Sequence, residues 1–349
     1  MQKKGTGDRL YVIAYTRGIA ALFVAWHHFT GVSQYAPLRL WHVPEWIGVE
    51  IFMVISGFIL PLALWRRYGE QYGKKDFVAY LLARLTRIEP PYIMSIVLVL
   101  TMMYAASLTP FYHGPPVQVS WGQILTHLFY LAPVFGYPWL SIVYWYLAYE
   151  FVFYIVLGLT FALLARYGAP VLYATTAVVF LLVYAAFGFY DGKVLLFAIG
   201  GSLFLHRIGK LSSLWLAVAV LALAVLIAFL EQLSTGITAV YMALWIWFGS
   251  GVKWPERVHR PLMFFGNISY SLYLVHIPIG VRVMKLGKHF TSGPWQELAV
   301  TLAALAISVI AAYIFYRLFE KPCSDLSQRI KLRKRAALAA VAAGAESPA

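Results

Sequence analysis

Residues 11–30 read YVIAYTRGIAALFVAWHHFT, a twenty-residue run that is almost wholly apolar except for Arg17 and a histidine pair, His27 and His28. A segment of that length and apolarity crosses a bilayer as a helix. A charged side chain at such a depth costs at least ~2.5–3.5 kcal/mol, so Arg17 calls for a partner or a task. Arg17 and His28 lie eleven residues apart, close to three turns at about 100° per residue, which puts them on one face about 16 Å apart. His27 falls about 80° off that line, so His28 is expected to share the cavity of Arg17. The alternative for this segment alone is that Arg17 snorkels toward one interface while the histidines sit at the other.

The rest of the composition agrees with a membrane setting. Hydrophobic residues make up 61% of the 349 and charged residues 12%, with a mean hydropathy of +0.72, which excludes a water-soluble globule because no ordinary surface hides that much apolar side chain. The formal charge of +14 would suit nucleic acid, yet the Lys and Arg residues gather in short connectors and the tail, where it reads as orientation. The single Cys323 rules out an internal disulfide and sits beside the basic tail, where a reducing cytoplasm is expected. No cleavable signal is evident before the first span, which is expected to remain in the mature protein.

The expected class is therefore an all-α polytopic membrane protein of about ten spans. These are Leu10 to Thr30, Trp46 to Leu64, Ile88 to Ala106, Trp139 to Ala165, Val171 to Phe189, Val194 to His206, Leu214 to Leu230, Ile237 to Gly251, Leu262 to Val283 and Leu298 to Phe319. Ile124 to Phe135 is too short to cross and reads as an interfacial or re-entrant helix. With the amino terminus cytoplasmic, the basic connectors Arg66 to Arg87, Arg166, Arg207 to Lys210, Lys253 to Arg260 and the tail from Lys321 all fall inside, and Ser107 to Pro138, which has no Lys or Arg, falls outside. Arg282, Lys285 and Lys288 are the exception, a basic group on the outer side whose one suggested use is contact with an anionic acceptor. No internal repeat is visible, so residues 1–335 read as one transmembrane domain and 336–349 as a disordered tail.

Polar residues inside the spans mark the candidate site. Glu50, in GVEIFMVISGF (48–58), is expected at a depth comparable with His28, where a carboxylate could orient the imidazole, while Ser56 and Gly57 suit close helix packing. Arg84 and Arg87, at the end of a cytoplasmic connector and three apart, hence neighbours on one helical face at the membrane surface, offer two guanidinium forks to a polyphosphate or simply anchor the membrane surface. Tyr146, Glu150 and Tyr154 recur every four residues, and Glu150, near mid-membrane, is expected to pair with an arginine such as Arg17 or to be protonated. Ser269, Tyr273 and His276 fall within about 60° on one face, and Pro278 frees the Leu274 carbonyl, so a polar groove is expected there. Tyr316 to Pro322 reads as a polar cytoplasmic stop. The nine His residues show no metal-ligand spacing.

In this order, the Arg17 to His28 pair, Gly48 to Phe58, Arg84 to Tyr92, Trp145 to Tyr154, Phe197 to Gly200, Gly266 to Pro278 and Phe319 to Pro322 resemble the membrane-bound acyltransferase-3 family. That family acylates cell-surface sugars and related hydroxyl acceptors. The resemblance implies a ten-span enzyme of the cytoplasmic membrane, both termini inside, that takes an acyl group from a cytoplasmic thioester, usually acetyl-CoA, to a glycan, glycolipid or other hydroxyl acceptor outside. It implies no permanently bound cofactor and no metal. The family's arginine and histidine correspond to Arg17 and His28, and its cytoplasmic arginine pair to Arg84 and Arg87. Glu50 stands where an Asp is frequent, and Tyr149 where an acidic or small residue is more usual. The periplasmic hydrolase-like domain of many relatives is absent, so acceptor choice falls to the bundle and its outer loops. The catalytic set expected is His28, Arg17 and Glu50, with Arg84, Arg87 and Arg17 on the acyl-CoA, and Glu150, Tyr146, Ser269, Tyr273 and His276 along the tunnel. A transporter or flippase for a lipid-linked or small polar solute is the rival reading.

Overall fold

The fold was taken from a computed structural model that describes residues 10–33, 45–112, 116–188, 190–249, 252 and 254–330, so the tail expected to be disordered lies outside the described residues. Helices α1 (Tyr11–Gly31), α2 (Glu45–Tyr68), α3 (Lys74–Ser107), α4 (Trp121–Leu128), α5 (Tyr144–Tyr167) and α6 (Ala169–Phe187) come first. Then follow α7 (Leu196–Arg207), α8 (Ser213–Leu230), α9 (Leu233–Gly249), α10 (Glu256–Val275), α11 (Arg282–Gly287) and α12 (Pro294–Phe315). There is no strand among the described residues. Ten of these helices occupy the ten expected spans, and among the described residues seven continuous helical stretches are long and apolar enough to cross a membrane, a set that leaves out α1, α7 and α9.

The short sixth span has a physical explanation. Helix α7 has 12 residues, about 18 Å, and every side chain from Leu196 to Leu205 is buried by its neighbours, so it serves as an internal post and does not face lipid. Its closest neighbour is α2. A Cβ on Gly57 would fall 2.2 Å from the Phe197 carbonyl oxygen and one on Gly200 2.1 Å from that of Val54, so the two backbones touch where both residues are glycine.

A few contacts fix the two ends of the bundle. At one end the Tyr72 hydroxyl donates to the Gly158 carbonyl, Lys210 bonds Glu70 and the Ala165 carbonyl, and Ser327 donates to Ala83. This end carries Arg66, Arg166 and Lys210 and is the basic face. At the far face Lys193 pairs with Glu231 at 2.8 Å and the Phe111 and His289 rings lie 5.0 Å apart.

The apolar segment too short to cross, expected to be interfacial or re-entrant, forms the eight-residue helix α4 followed by a 3₁₀ turn, Pro133–Phe135. Its polarity is inverted: Trp121 and Leu125 are exposed while Gln123 and His127 are buried. The exposed side suits hydrocarbon. The buried His127 donates its Nδ1–H to the Gln123 carbonyl at 2.7 Å and accepts the Leu140 N–H on Nε2 at 2.9 Å, which fixes a neutral tautomer. Burial outweighs the Gln123 hydrogen bond and holds its pKa below the usual histidine value.

Two boundaries differ from expectation, and both matter for the site. Helix α3 starts at Lys74, fourteen residues before Ile88, and continues through Pro90 and Pro91, so the helical face that carries Arg84 and Arg87 belongs to the spanning helix itself and not to a connector before it. Helix α5 starts at Tyr144, which leaves Trp139 to Val143 in the preceding loop. Between α10 and α11 the helix widens into a π turn, His276–Val281, that accommodates Pro278, and the Nδ1–H of His276 is donated to the Leu272 carbonyl at 3.0 Å.

Candidate functional site

Near the middle of the bundle, α1, α2, α3, α5 and α10 enclose a small chamber of about 80 Å³. Arg17, Arg84 and Arg87 line it together with Glu150, Tyr146, Tyr154 and Tyr270. The four-residue stripe on α5 thus faces inward as its spacing requires. Glu150 accepts from the Ser56 hydroxyl at 2.5 Å and closes no ion pair among the described residues, so a serine takes the place expected for an arginine. The Arg84 guanidinium lies 5.6 Å over the Tyr154 ring. None of the three guanidiniums closes a hydrogen bond or an ion pair to a carboxylate among the described residues. Three converging cations that outnumber the nearby carboxylates Glu150 and Glu320 and close no ion pair with them among the described residues favour a bound anion.

The chamber continues toward the basic face. A cleft of about 340 Å³ is lined by Arg17, Arg66, Arg87, Asn267, Tyr316 and Glu320, and shares Arg17, Ile59 and Arg87 with the chamber. Glu320 is buried there, with Oε2 accepting the Ser271 N–H at 3.1 Å and the Ser271 hydroxyl at 2.6 Å. Sequence reading took Tyr316 to Pro322 for a cytoplasmic stop and missed this acid. A signal was available: a carboxylate between Phe319 and a proline-terminated basic turn, on the last apolar span. Its partner on α10 lies 49 residues away and is fixed only by packing.

Toward the far face lies a separate vestibule of about 500 Å³, walled by His28, Val49, Asp191, Lys193 and an aromatic set that includes Tyr137, Trp139, Trp145, Tyr149 and Phe187. At its rim Lys193 pairs with Glu231 at 2.8 Å and approaches Asp191 at 3.5 Å. Burial raises the Asp191 carboxyl above the usual aspartate value. Burial also disfavours the Lys193 ammonium, but Asp191 and Glu231 outweigh it and hold its pKa above the usual lysine value. The His28 ring lies 5.3 Å from that of His276, which is fully buried and whose Nε2 has no hydrogen-bond partner among the described residues.

Tyr273 lines both chamber and vestibule. Its hydroxyl donates to the Val143 carbonyl at 2.6 Å, and its ring packs 5.9 Å from Phe52 and 5.8 Å from Tyr146. The three rings form a septum between the two cavities.

Three expectations about the site change. Arg17 and His28 both face the interior, but Arg17 lines the chamber and His28 the vestibule, because eleven residues of helix separate them axially and the septum falls between. Glu50 does not orient the His28 ring: it is fully buried and neither carboxylate oxygen has a hydrogen-bond partner among the described residues, while the Thr235 and Thr238 hydroxyls of α9 lie beside it. The reason is helical phase. Val49 faces the vestibule, and the next residue points about 100° away. Ser269 lines neither cavity, its hydroxyl being donated to the Gly266 carbonyl at 2.9 Å, and Tyr270 takes its place in the chamber wall.

Comparison with known proteins adds the class of chemistry. Residues 10–317 match the profile of a family described as an acyltransferase domain, the same acyltransferase-3 family that the ordered motifs resemble, and the chain belongs to it. No curated protein and no solved structure matches.

Proposed function

We propose that this membrane acyltransferase is an O-acyltransferase that takes an acyl group, in the first instance acetyl, from a CoA thioester at the basic face and delivers it to a glycan or glycolipid hydroxyl at the far face. The basic face is then cytoplasmic, in keeping with the distribution of Lys and Arg, and the membrane is the cytoplasmic one. The observation that carries the reading is the division of the interior. A polycationic chamber and cleft suit the phosphates of CoA, an aromatic vestibule with one histidine suits a sugar, and the two meet at Tyr273.

In this reading Arg17, Arg84 and Arg87 hold the donor phosphates. The ~16 Å between Arg17 and His28 is the span that the flexible thioester arm covers. That distance also removes Arg17 from the carbonyl at the moment of transfer, so its part is donor binding. At His28 the imidazole takes the proton of the acceptor hydroxyl, the oxygen attacks the thioester carbonyl, the C–S bond breaks, and the departing thiolate takes the proton from the imidazolium. In the two-step variant an imidazole nitrogen attacks first and the thiolate leaves. The acceptor oxygen then displaces the imidazole from the acyl-histidine while its proton passes to the released nitrogen. The His276 ring lies 5.3 Å from that of His28, tilted to it by 33° and with its Nδ1–H committed to Leu272, which supports a part for His276 in setting the His28 ring.

The test uses vesicles containing the full chain, with radiolabelled acetyl-CoA supplied at the basic face and polysaccharide or glycolipid at the other. Label on the acceptor, or on His28 when acceptor is withheld, is the expected result. Movement of an acceptor with no donor present, and no label transferred, would establish the transporter reading instead.

A further inference from the structure

The basic group that departs from the charge pattern of the chain has a structural setting. Arg282, Lys285 and His289 follow one another at i, i+3 and i+7, the spacing of a single helical face, along α11 and the 3₁₀ turn after it. All three line a cavity of about 470 Å³ at the far face, outside the chamber and the vestibule. The opposite wall is the end of α3 and the turn after it, where Met102, Ala105 and Ala106 on the helix and Thr109 just beyond it line the cavity and the two alanines leave the space open. Helix α3 packs against the π turn below and parts from α11 above it, which is how the cavity forms.

The cavity has two distinct characters. Its cationic side is uncompensated: Arg282 and Lys285 close no hydrogen bond or ion pair among the described residues, and no acidic residue lines the wall. Its other side is apolar, and the surrounding surface exposes Tyr104, Leu108, Phe111, Leu286 and Phe290. A guanidinium with an ammonium one helical turn away suits a phosphate, and a soluble anion would leave the apolar wall unused. An amphiphile satisfies both sides. We propose that this cavity binds the phosphate headgroup of a lipid whose chains run along the end of α3, with Arg282 and Lys285 gripping the phosphate and His289 beside it. The site lies on the same continuous helix as His276, six residues or about 9 Å further along. The proposal does not depend on the acyl-transfer reading, since it concerns binding alone.

The test places the full chain in phosphatidylcholine nanodiscs carrying traces of fluorescent phosphatidic acid, with labelled phosphatidylcholine and labelled diacylglycerol as comparisons. Saturable binding of phosphatidic acid alone is expected, weakened at least about tenfold by Arg282→Gln combined with Lys285→Gln. Lys288→Gln, on the same segment but outside the cavity wall, is expected to bind as the parent does. Should the double variant fail to fold, Ala106→Leu fills the cavity without touching a charge and is expected to produce the same loss. Equal binding of phosphatidic acid and phosphatidylcholine would overturn the proposal. So would an equal loss with Lys288→Gln, which would mean diffuse surface charge, or displacement of the lipid by an equal concentration of inorganic phosphate, which would mean a free anion.

Discussion

The chamber and the vestibule share walls from α1, α2, α5 and α10, yet they are built from opposite materials. The chamber concentrates three guanidiniums around one carboxylate that is satisfied by a serine, in a space of about 80 Å³. The vestibule is about 500 Å³, walled mainly by rings, with its one lysine neutralised by acids at the rim and a histidine at its inner wall. The first arrangement suits a polyanion better than a neutral ligand. The second offers flat apolar faces and a proton acceptor, which suits a polyhydroxyl compound and not a phosphate. A bundle with both can keep a charged donor on one side of the membrane while an uncharged group passes between them, because only the acyl arm needs to cross the aromatic septum.

This contrast can be broken most sharply at His28. His28→Ala is expected to lower acyl transfer by about 10²–10⁴-fold with the thermal unfolding profile and helix content unchanged, since the residue is half-buried at a cavity wall. Loss of folding, or activity within a few fold of the parent, would remove the vestibule from the chemistry. The chamber is expected to respond differently. Arg87→Gln should raise the apparent KM for the CoA thioester by about tenfold or more while changing kcat little, because the phosphate contact is made equally in the ground and transition states. A fall in kcat at unchanged KM would place Arg87 at the reacting atoms and erase the proposed division.

Two smaller effects sharpen the picture from the edges of each region. Glu320→Ala leaves the buried Ser271 N–H and hydroxyl without their acceptor and removes negative charge near Arg17 and Arg87, so a loss of about 1–3 kcal/mol in stability is expected. Thermal unfolding in detergent measures it, and an unchanged midpoint would show that Ser271 finds another partner. At the far face, the lowered pKa of His127 has a definite sign. The unfolded chain binds the proton more readily than the folded one, so the contribution of neutral His127 is complete above the ordinary histidine pKa and is lost as pH falls through the lower folded value. The Leu140 amide is therefore expected to lose hydrogen-exchange protection on acidification in the parent. His127→Gln should show no such step.

Much of the architecture could be read from residue pattern. Ten apolar runs became ten helices, the segment too short to span became the short helix α4, the Tyr146, Glu150 and Tyr154 stripe faced one cavity, and Gly57 met the backbone of α7. Each depends on periodicity or on the size of one side chain, both local properties. The misreadings were of another kind. Arg84 and Arg87 read as lying on a helical face before a span that starts at Ile88, whereas one helix runs unbroken from Lys74 to Ser107 and carries them into the chamber wall. Glu50 seemed a partner for His28 because their depths match, but depth says nothing of azimuth, and Glu50 points toward α9.

By itself, then, the sequence determined that the chain is an all-helical membrane protein, which of its faces are apolar, and which acyltransferase family it belongs to. These follow from run length, spacing and ordered motifs, all of which are properties of the chain in one dimension. Only the tertiary structure decided that Arg17 and His28 serve different cavities, that Tyr273 closes the space between them, that His276 stands beside His28 where Glu50 was expected, and that Glu320 reaches Ser271. Those are contacts between helices distant in sequence. They are set by the rotation of each helix about its axis and by where small residues let two backbones meet, which no single segment encodes.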